Sequence, residues 1–129
     1  MLHLNKIHHI AILCSNYEVS KRFYTEILGL QIIQEIYRKE RDSYKLDLAL
    51  NDTYCIELFS FPNPPKRVSS PEATGLRHLA FEVNDIETTR KYIISHNLYA
   101  EEIRTDEHTN KRFFFMSDPD DLPIEFYEL

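Results

Sequence analysis

The chain has 129 residues, a length that fits one domain with a sizeable core and no need for disulfide or metal staples. Its 15 Lys and Arg residues against 21 Asp and Glu residues give a formal charge of −6, which argues against nucleic acids and anionic membranes as partners. Only 2 glycines and 2 cysteines are present, which excludes Gly-rich phosphate loops and a disulfide framework. The N-terminal apolar stretch is too short for a signal sequence or a membrane span, so we expect a cytoplasmic protein.

The first half of the chain predicts a strand, a helix and three further strands. The segment IHHIAILC is rich in β-branched residues and predicts the first strand. Ser15 and Glu18 form a capping-box pattern, and the helix that they begin runs to Gly29, a natural stop. The apolar stripe of this helix consists of Val19, Phe23 and Ile27. The three strands that follow are LQIIQEIY, YKLDLAL and YCIELFSF.

The second half of the chain repeats the first. Residues 78–93 align with residues 9–24 without a gap, so that His78 matches His9, and PIEFYEL resembles CIELFSF, so that Glu125 matches Glu57. The repeat predicts the strand LRHLAFEV, then a helix capped by Asn84 and Glu87 and ending near Asn97, then the strands AEEIRTDEH, RFFFMS and PIEFYEL. We therefore expect an α+β fold of two tandem βαβββ modules within a single domain, 1–129. The first module covers about 1–61, a proline-rich linker about 62–75, and the second module about 76–129.

Two histidines and two glutamates recur in phase on the strand faces that point away from the predicted helices. A carboxylate within an apolar run such as CIELFSF needs a cation or a metal beside it, because burying an unpaired charge is costly. Two imidazoles and two carboxylates suit a divalent transition metal that keeps open positions for vicinal oxygens of a substrate. The proposed metal ligands are His9, Glu57, His78 and Glu125. Candidate contacts for an anionic substrate group are Arg104, Lys111 and Arg112. Alternation also places Cys14 on the helix-facing side, where we expect it to be buried.

The sequence resembles the glyoxalase, or vicinal oxygen chelate, superfamily, and in particular its short bacterial members that are similar to glyoxalase I. The segments that carry the resemblance are IHHIAILCSNYEVSKRFYTEILGL, GLRHLAFEV and SDPDDLPIEFYEL. The resemblance implies two βαβββ modules around a metal cavity, a homodimer, and one divalent metal per site, which is Zn, Ni, Co, Mn or Fe. It also implies that His9, Glu57, His78 and Glu125 are the ligands. Glu57 and Glu125 are the catalytic carboxylates that it implies, with Glu125 moving the substrate proton.

The function implied by this resemblance is that of a metal-dependent lyase or isomerase acting on a small 2-oxoaldehyde or its thiol hemithioacetal. Glyoxalase I enzymes have Arg, Asn and Gly where this chain has Leu13, Phe61 and Asp121, and the first two departures weaken the case for glutathione adducts. Three alternatives stay open: a metal-dependent thiol transferase of the fosfomycin-resistance type, a ring-cleaving dioxygenase, and a non-catalytic small-molecule binding protein of the same fold.

Overall fold

The computed structural model describes residues 1–129 and divides into two compact units, Met1–Lys66 and Arg67–Leu129. The division falls within the proline-rich segment 62–75. Each unit contains one four-stranded sheet and one principal helix. No helix combines the length and the apolar character that crossing a membrane requires.

The first unit is a βαβββ module whose sheet has the strand order β1-β4-β3-β2. Its strands are β1 (Ile10–Cys14), β2 (Gln31–Arg38), β3 (Ser43–Leu50) and β4 (Thr53–Ser60). Between β1 and β2 lies α1 (Tyr17–Arg22), which continues as a π-helical turn, Phe23–Ile27. A 3₁₀ turn, Lys39–Arg41, joins β2 to β3. Strand β1 pairs parallel with β4, and the other pairs are antiparallel.

The second unit repeats this topology, with the strand order β5-β8-β7-β6. Its strands are β5 (Leu79–Val83), β6 (Arg104–Thr105), β7 (Arg112–Ser117) and β8 (Pro123–Glu128). Its helix is α2 (Ile86–Ser95). As in the first unit, the first strand pairs parallel with the last. The predicted fold of two tandem βαβββ modules is therefore confirmed.

The strand alternation separates a buried face from a more open face in both sheets. Ile12, Cys14, Ile56 and Leu58 are buried on the helix-facing side of the first sheet, as predicted for Cys14. Leu79, Phe114, Ile124 and Phe126 are buried in the corresponding layer of the second sheet, on which α2 packs. Glu57 and Glu125 stand on the opposite faces, each in the strand that lies between two neighbours. Burial of the apolar layers thus leaves the two carboxylates on the open faces of the sheets.

Both predicted helix caps are wrong by one residue. The N-cap of α1 is Asn16, whose side chain accepts a hydrogen bond from the Val19 amide at 3.3 Å, and not Ser15. The N-cap of α2 is Asp85, which accepts from the Thr88 amide at 2.9 Å, and not Asn84. In each case the amide or carboxylate side chain lies three residues before a free backbone N–H, which is the position that capping requires.

The helix stripe and three strand boundaries also differ from the prediction. Of the predicted stripe, Phe23 is buried, Ile27 is partly buried and Val19 is 49% exposed. The other buried residues of the helix are Tyr17, Ser20 and Tyr24. Tyr17, Ser20 and Tyr24 are spaced at i, i+3 and i+7, so the buried face follows the helical repeat on a stripe rotated away from Val19. Strands β1 and β5 begin one residue after His9 and His78, and β6 has two residues rather than the nine that were predicted.

Candidate active site

His9 and Glu57 form the first of two histidine–glutamate pairs. His9 lies directly before β1, and Glu57 is the β4 residue aligned with Ala11 of β1. The His9 Nε2 atom is 3.8 Å from Glu57 Oε2. Tyr54 contacts both members, because its ring stacks on His9 at 5.2 Å and its hydroxyl donates a 2.7 Å hydrogen bond to Glu57 Oε2. A single tyrosine therefore orients the imidazole and the carboxylate together.

Two further charged residues surround Glu57. Asp47 of β3 lies opposite Glu57 in the antiparallel register and is buried. Lys45 Nζ donates to both Asp47 oxygens at 2.8 and 3.0 Å and lies 3.5 Å from Glu57 Oε2. The hydrogen bond to Asp47 raises the pKa of Lys45, and burial followed by the bond to Glu57 raises the pKa of Tyr54. Lys45 and Tyr54 thus remain protonated and donate to the two carboxylates at neutral pH.

His78 and Glu125 form the second pair, in which the Nε2 and Oε2 atoms are 3.0 Å apart. His78 lies directly before β5, and Glu125 is the β8 residue aligned with Ala80. The residue opposite Glu125 is Phe115 of β7, whose ring meets the His78 ring edge to face at 5.0 Å. The His78 Nδ1 atom is buried without a hydrogen-bond partner. This pair consequently stands among aromatic groups, whereas the first pair stands among polar ones.

The donor atoms of both pairs fit a divalent metal by chemistry, and those of the second pair also fit by spacing. Two ligands at right angles, each about 2.1 Å from a metal, are about 3.0 Å from one another, which is the separation found in the His78–Glu125 pair. The His9–Glu57 pair would have to close by roughly 0.8 Å. No group of three or more His, Cys, Asp and Glu side chains that could hold a metal is formed in the chain. Each unit therefore supplies two candidate ligands. That is fewer than the three protein ligands that a catalytic metal site generally has.

The structure separates the three residues predicted to contact an anionic group. Arg112 points to the helix-facing side of β7, where it contacts Glu87 at 3.1 Å and Glu128 at 2.8 Å. Lys111 Nζ donates to the Leu129 carbonyl at 2.9 Å. Arg104 alone lies over the rings of Phe113 and Phe115, of which Phe115 is the strand partner of Glu125.

The surroundings of Glu57 are the part of the site that sequence reasoning missed. Lys45, Asp47 and Tyr54 were not singled out, although Asp47 interrupts the apolar run YKLDLAL as Glu57 interrupts CIELFSF. The same signal, a carboxylate in an apolar strand, would have found Asp47.

The two cysteines have no features of a reactive thiol. Cys14 is buried and its thiol donates to the Phe59 carbonyl at 3.1 Å. Burial raises the pKa of Cys55, which disfavours the thiolate that nucleophilic catalysis requires.

Comparison with known proteins gives consistent matches along almost the whole chain. The model of the Glyoxalase/Bleomycin resistance protein/Dioxygenase superfamily matches residues 6–126. The chain is 58% identical over 128 residues to the uncharacterized protein YaeR of Escherichia coli (strain K12), with 99% of both chains covered. It is also 58% identical over 125 residues to the uncharacterized protein YwkD of Bacillus subtilis (strain 168), covering 97% of this chain and 98% of that one. The crystal structure of the glyoxalase family protein from Enterococcus faecalis is 43% identical, with a TM-score of 0.88, and covers 95% of this chain and 97% of that one.

Proposed function

Because the chain belongs to the glyoxalase/bleomycin resistance protein/dioxygenase superfamily, we propose that it is a metal-dependent lyase or isomerase of the glyoxalase I type. Its substrate would be a small 2-oxoaldehyde or the hemithioacetal that such an aldehyde forms with a thiol. The observation that carries the proposal is the recurrence of one histidine–glutamate pair at equivalent positions of two sheets. Ala11 pairs with Glu57 as Ala80 pairs with Glu125, and each glutamate has an imidazole nitrogen within 4 Å.

The two pairs together would hold one divalent transition metal, which is Zn, Ni, Co, Mn or Fe. Its four protein ligands would be His9, Glu57, His78 and Glu125. When bound, such a metal supplies Lewis-acid polarisation of the vicinal oxygens of the substrate. Its charge of +2 would also balance the two carboxylates.

Glu125 is the carboxylate that we assign to proton transfer. It is only 13% exposed and stands opposite Phe115, and it has no tyrosine or lysine neighbour of the kind that engages Glu57. A carboxylate oxygen that accepts no hydrogen bond from a tyrosine or a lysine can take a proton from one carbon of the substrate. It can then return that proton to the neighbouring substrate atom. Glu57, held by Tyr54 and Lys45, acts as the fixed member of the catalytic carboxylate pair.

We propose further that the protein is a homodimer in which each site combines the His9–Glu57 pair of one copy with the His78–Glu125 pair of the other. The test mixes two variants that are expected to lose the metal, His9→Ala and His78→Ala, after unfolding and refolding them together. Restored turnover in the mixture supports a site shared between two copies, because one of the two sites is then intact. Turnover that stays absent in the mixture contradicts the shared site. The predicted cytoplasmic location belongs to the same proposal and is tested by cell fractionation.

The activity itself is tested by loading the metal-free protein with Zn, Ni, Co, Mn or Fe in turn. Hemithioacetals formed from one 2-oxoaldehyde and several thiols serve as substrates, since Leu13 and Phe61 give no reason to favour glutathione. We expect metal-dependent turnover with at least one thiol, and its loss in Glu125→Gln. The matched control is Glu82→Gln, which removes an exposed carboxylate from β5 of the same sheet.

Three other outcomes would contradict the proposal and favour a different member of the superfamily. Thiol addition to an epoxide would identify a thiol transferase. Oxygen consumption with a catechol and Fe would identify a ring-cleaving dioxygenase. Tight binding of a small molecule by a protein that takes up no metal would identify a non-catalytic binding protein.

A further inference from the structure

A pocket of about 270 Å³ opens in the second unit, next to the His78–Glu125 pair. Its lining includes two guanidinium groups, from Arg77 and Arg104, and the aromatic rings of Tyr99 and Phe115. The one lining carboxylate is that of Glu101. The lining is therefore net positive, although the whole chain has a formal charge of −6. Because an acidic chain repels anions in general, the attraction for an anion is confined to this pocket.

Arg104 is held in place before any ligand arrives. Its guanidinium carbon lies 4.9 Å from the centre of the Phe113 ring and 5.8 Å from that of Phe115. Its Nε and Nη2 atoms donate to Glu101 Oε1 at 3.2 and 2.9 Å. Glu101 is itself anchored, because the same oxygen accepts the backbone N–H of Phe115 at 2.9 Å. The Nη1 group of Arg104 makes no hydrogen bond, so one edge of an ordered guanidinium is available to a ligand.

Arg77 supplies the second cation. Its Nη1 atom contacts Glu72 Oε1 at 2.5 Å, and both side chains are more than half exposed, at 62% and 58%. An exposed ion pair of this kind contributes little free energy, so Arg77 can exchange Glu72 for a ligand at small cost. Its Nε and Nη2 groups make no hydrogen bond in the structure. Two guanidinium groups with uncommitted donors match the several acceptor oxygens of a carboxylate or a phosphate.

We propose that this pocket binds the carboxylate or phosphate of a small ligand whose apolar part lies against Phe115. The ring of Phe115 also contacts His78, and its backbone lies opposite Glu125. A ligand anchored at Arg104 thus extends along Phe115 toward the catalytic pair. The anion site is inferred from the pocket residues alone. Its assignment to the anionic end of the substrate rests on the proposed function. The substrate class becomes a small 2-oxoaldehyde or hemithioacetal that bears a negative charge.

The test measures binding of three simple probes to the full-length protein by isothermal titration calorimetry. The protein is first stripped of metal on a chelating resin, so that the proposed metal site contributes nothing. The probes are benzoate, phenyl phosphate and the neutral benzamide. We expect at least one anion to bind at least about tenfold more tightly than benzamide. The comparison of benzoate with phenyl phosphate shows whether the site prefers a carboxylate or a phosphate.

Three variants identify the groups responsible. Arg104→Gln should weaken anion binding about tenfold, and Arg77→Gln about threefold, because Arg77 is the more exposed and the less ordered. Arg41→Gln is the matched control, since it removes one exposed positive charge from the first unit. Anion binding that is equal to benzamide binding, unchanged in Arg104→Gln, or weakened equally in Arg41→Gln would overturn the proposal. Metal uptake by Arg104→Gln is expected to match wild type, so failure of the anion site and failure of the metal site give different results.

Discussion

The two units have the same strand order and register but surround their histidine–glutamate pairs with opposite chemistry. In the first unit the residues on β3 next to Glu57 are Lys45 and Asp47, and Tyr54 donates to both carboxylates. In the second unit the equivalent β7 positions hold Phe113 and Phe115. The histidine–glutamate pair thus recurs in both units, whereas the neighbouring strand differs between them. Glu57 is therefore held in position by Tyr54 and Lys45, whereas the strand partner of Glu125 is the apolar Phe115.

The largest expected effect comes from the same substitution made in each unit. Glu125→Gln should lower kcat at saturating metal by about 10³-fold, because it removes the group that moves the proton. Glu57→Gln should lower kcat by only about tenfold, since it loses a ligand whose neighbours still shape the site. Steady-state kinetics at a series of metal concentrations separates the two effects. Equal losses in kcat for the two variants would show that the units are chemically equivalent, against this comparison.

A second test removes the polar support that only the first unit has. Tyr54→Phe deletes the hydroxyl bonded to Glu57 and Asp47 while keeping the ring that stacks on His9. We expect metal affinity to fall about tenfold, as is usual when a group that orients a ligand is lost. Calorimetric titration with the preferred metal measures it. Tyr44→Phe, which removes an exposed hydroxyl from β3, is the control and should bind metal like wild type. An unchanged affinity in Tyr54→Phe would mean that Glu57 needs no support.

The units also differ in how the helix is tied to the sheet. Lys21 and Tyr17 of α1 donate to Glu35 of β2, and these bonds, that of Lys21 first, lower the pKa of Glu35. A lowered carboxyl pKa stabilises the fold above the unfolded value of about 4.3, and the contribution is lost as pH falls through the lower folded value. In the second unit Arg112 of β7 ties the helix to the sheet, because it contacts Glu87 of α2 at 3.1 Å and Glu128 of β8 at 2.8 Å. Its hydrogen bond lowers the pKa of Glu128.

Glu35→Gln should therefore cost about 0.5 kcal/mol of stability at pH 7, a modest figure because the side chain is 35% exposed and screened by solvent. The difference between wild type and variant should shrink as pH falls below the unfolded value of about 4.3 and vanish once pH lies below the lowered pKa of the folded state. Urea unfolding followed at several pH values measures it. Glu40→Gln, in an exposed turn of the same unit, should show no such pH dependence. A difference that persists undiminished at pH 3 would contradict the ion-pair explanation.

The smallest effect is expected in the turns that precede the two glutamate strands. The first unit uses Asn51 and Asp52, both at positive φ, and the second places Asp121 at φ +66. Asp121→Gly should stabilise the protein by about 0.5 kcal/mol, because glycine adopts this conformation without steric cost. The Asp118 side chain, which accepts the Asp120 and Leu122 amides, keeps the turn in place. Thermal unfolding checks the prediction, and a lower melting temperature would refute it.

The fold could be predicted from the sequence because the same pattern of elements occurs in both halves of the chain. The in-phase match of His9 with His78 and of Glu57 with Glu125 reveals both the module and its open face. The helix caps could not be settled by spacing, because Ser15 and Asn16 are both good capping residues and only the local backbone decides between them.

The neighbours of Glu57 depend on strand register, which the sequence constrains less directly. Asp47 faces Glu57 because the two-residue turn at Asn51 and Asp52 begins the pairing of β3 with β4 and a bulge between Leu48 and Ala49 then shifts it by one residue. Arg112 illustrates the converse, because its charge suggested a ligand contact while its place on the helix-facing side of β7 pairs it with Glu128. The residue type alone therefore does not indicate which face of the strand Arg112 occupies.

The number of metal ions bound per chain tests most directly whether the two histidine–glutamate pairs bind one metal together. Wild type, His9→Ala and His78→Ala are each loaded with the preferred metal, dialysed, and analysed for metal and protein content. If the two pairs hold one ion together, wild type binds one metal per chain and both variants lose tight binding completely. If instead either variant keeps a tightly bound metal, or wild type binds none, the two histidine–glutamate pairs do not form one site.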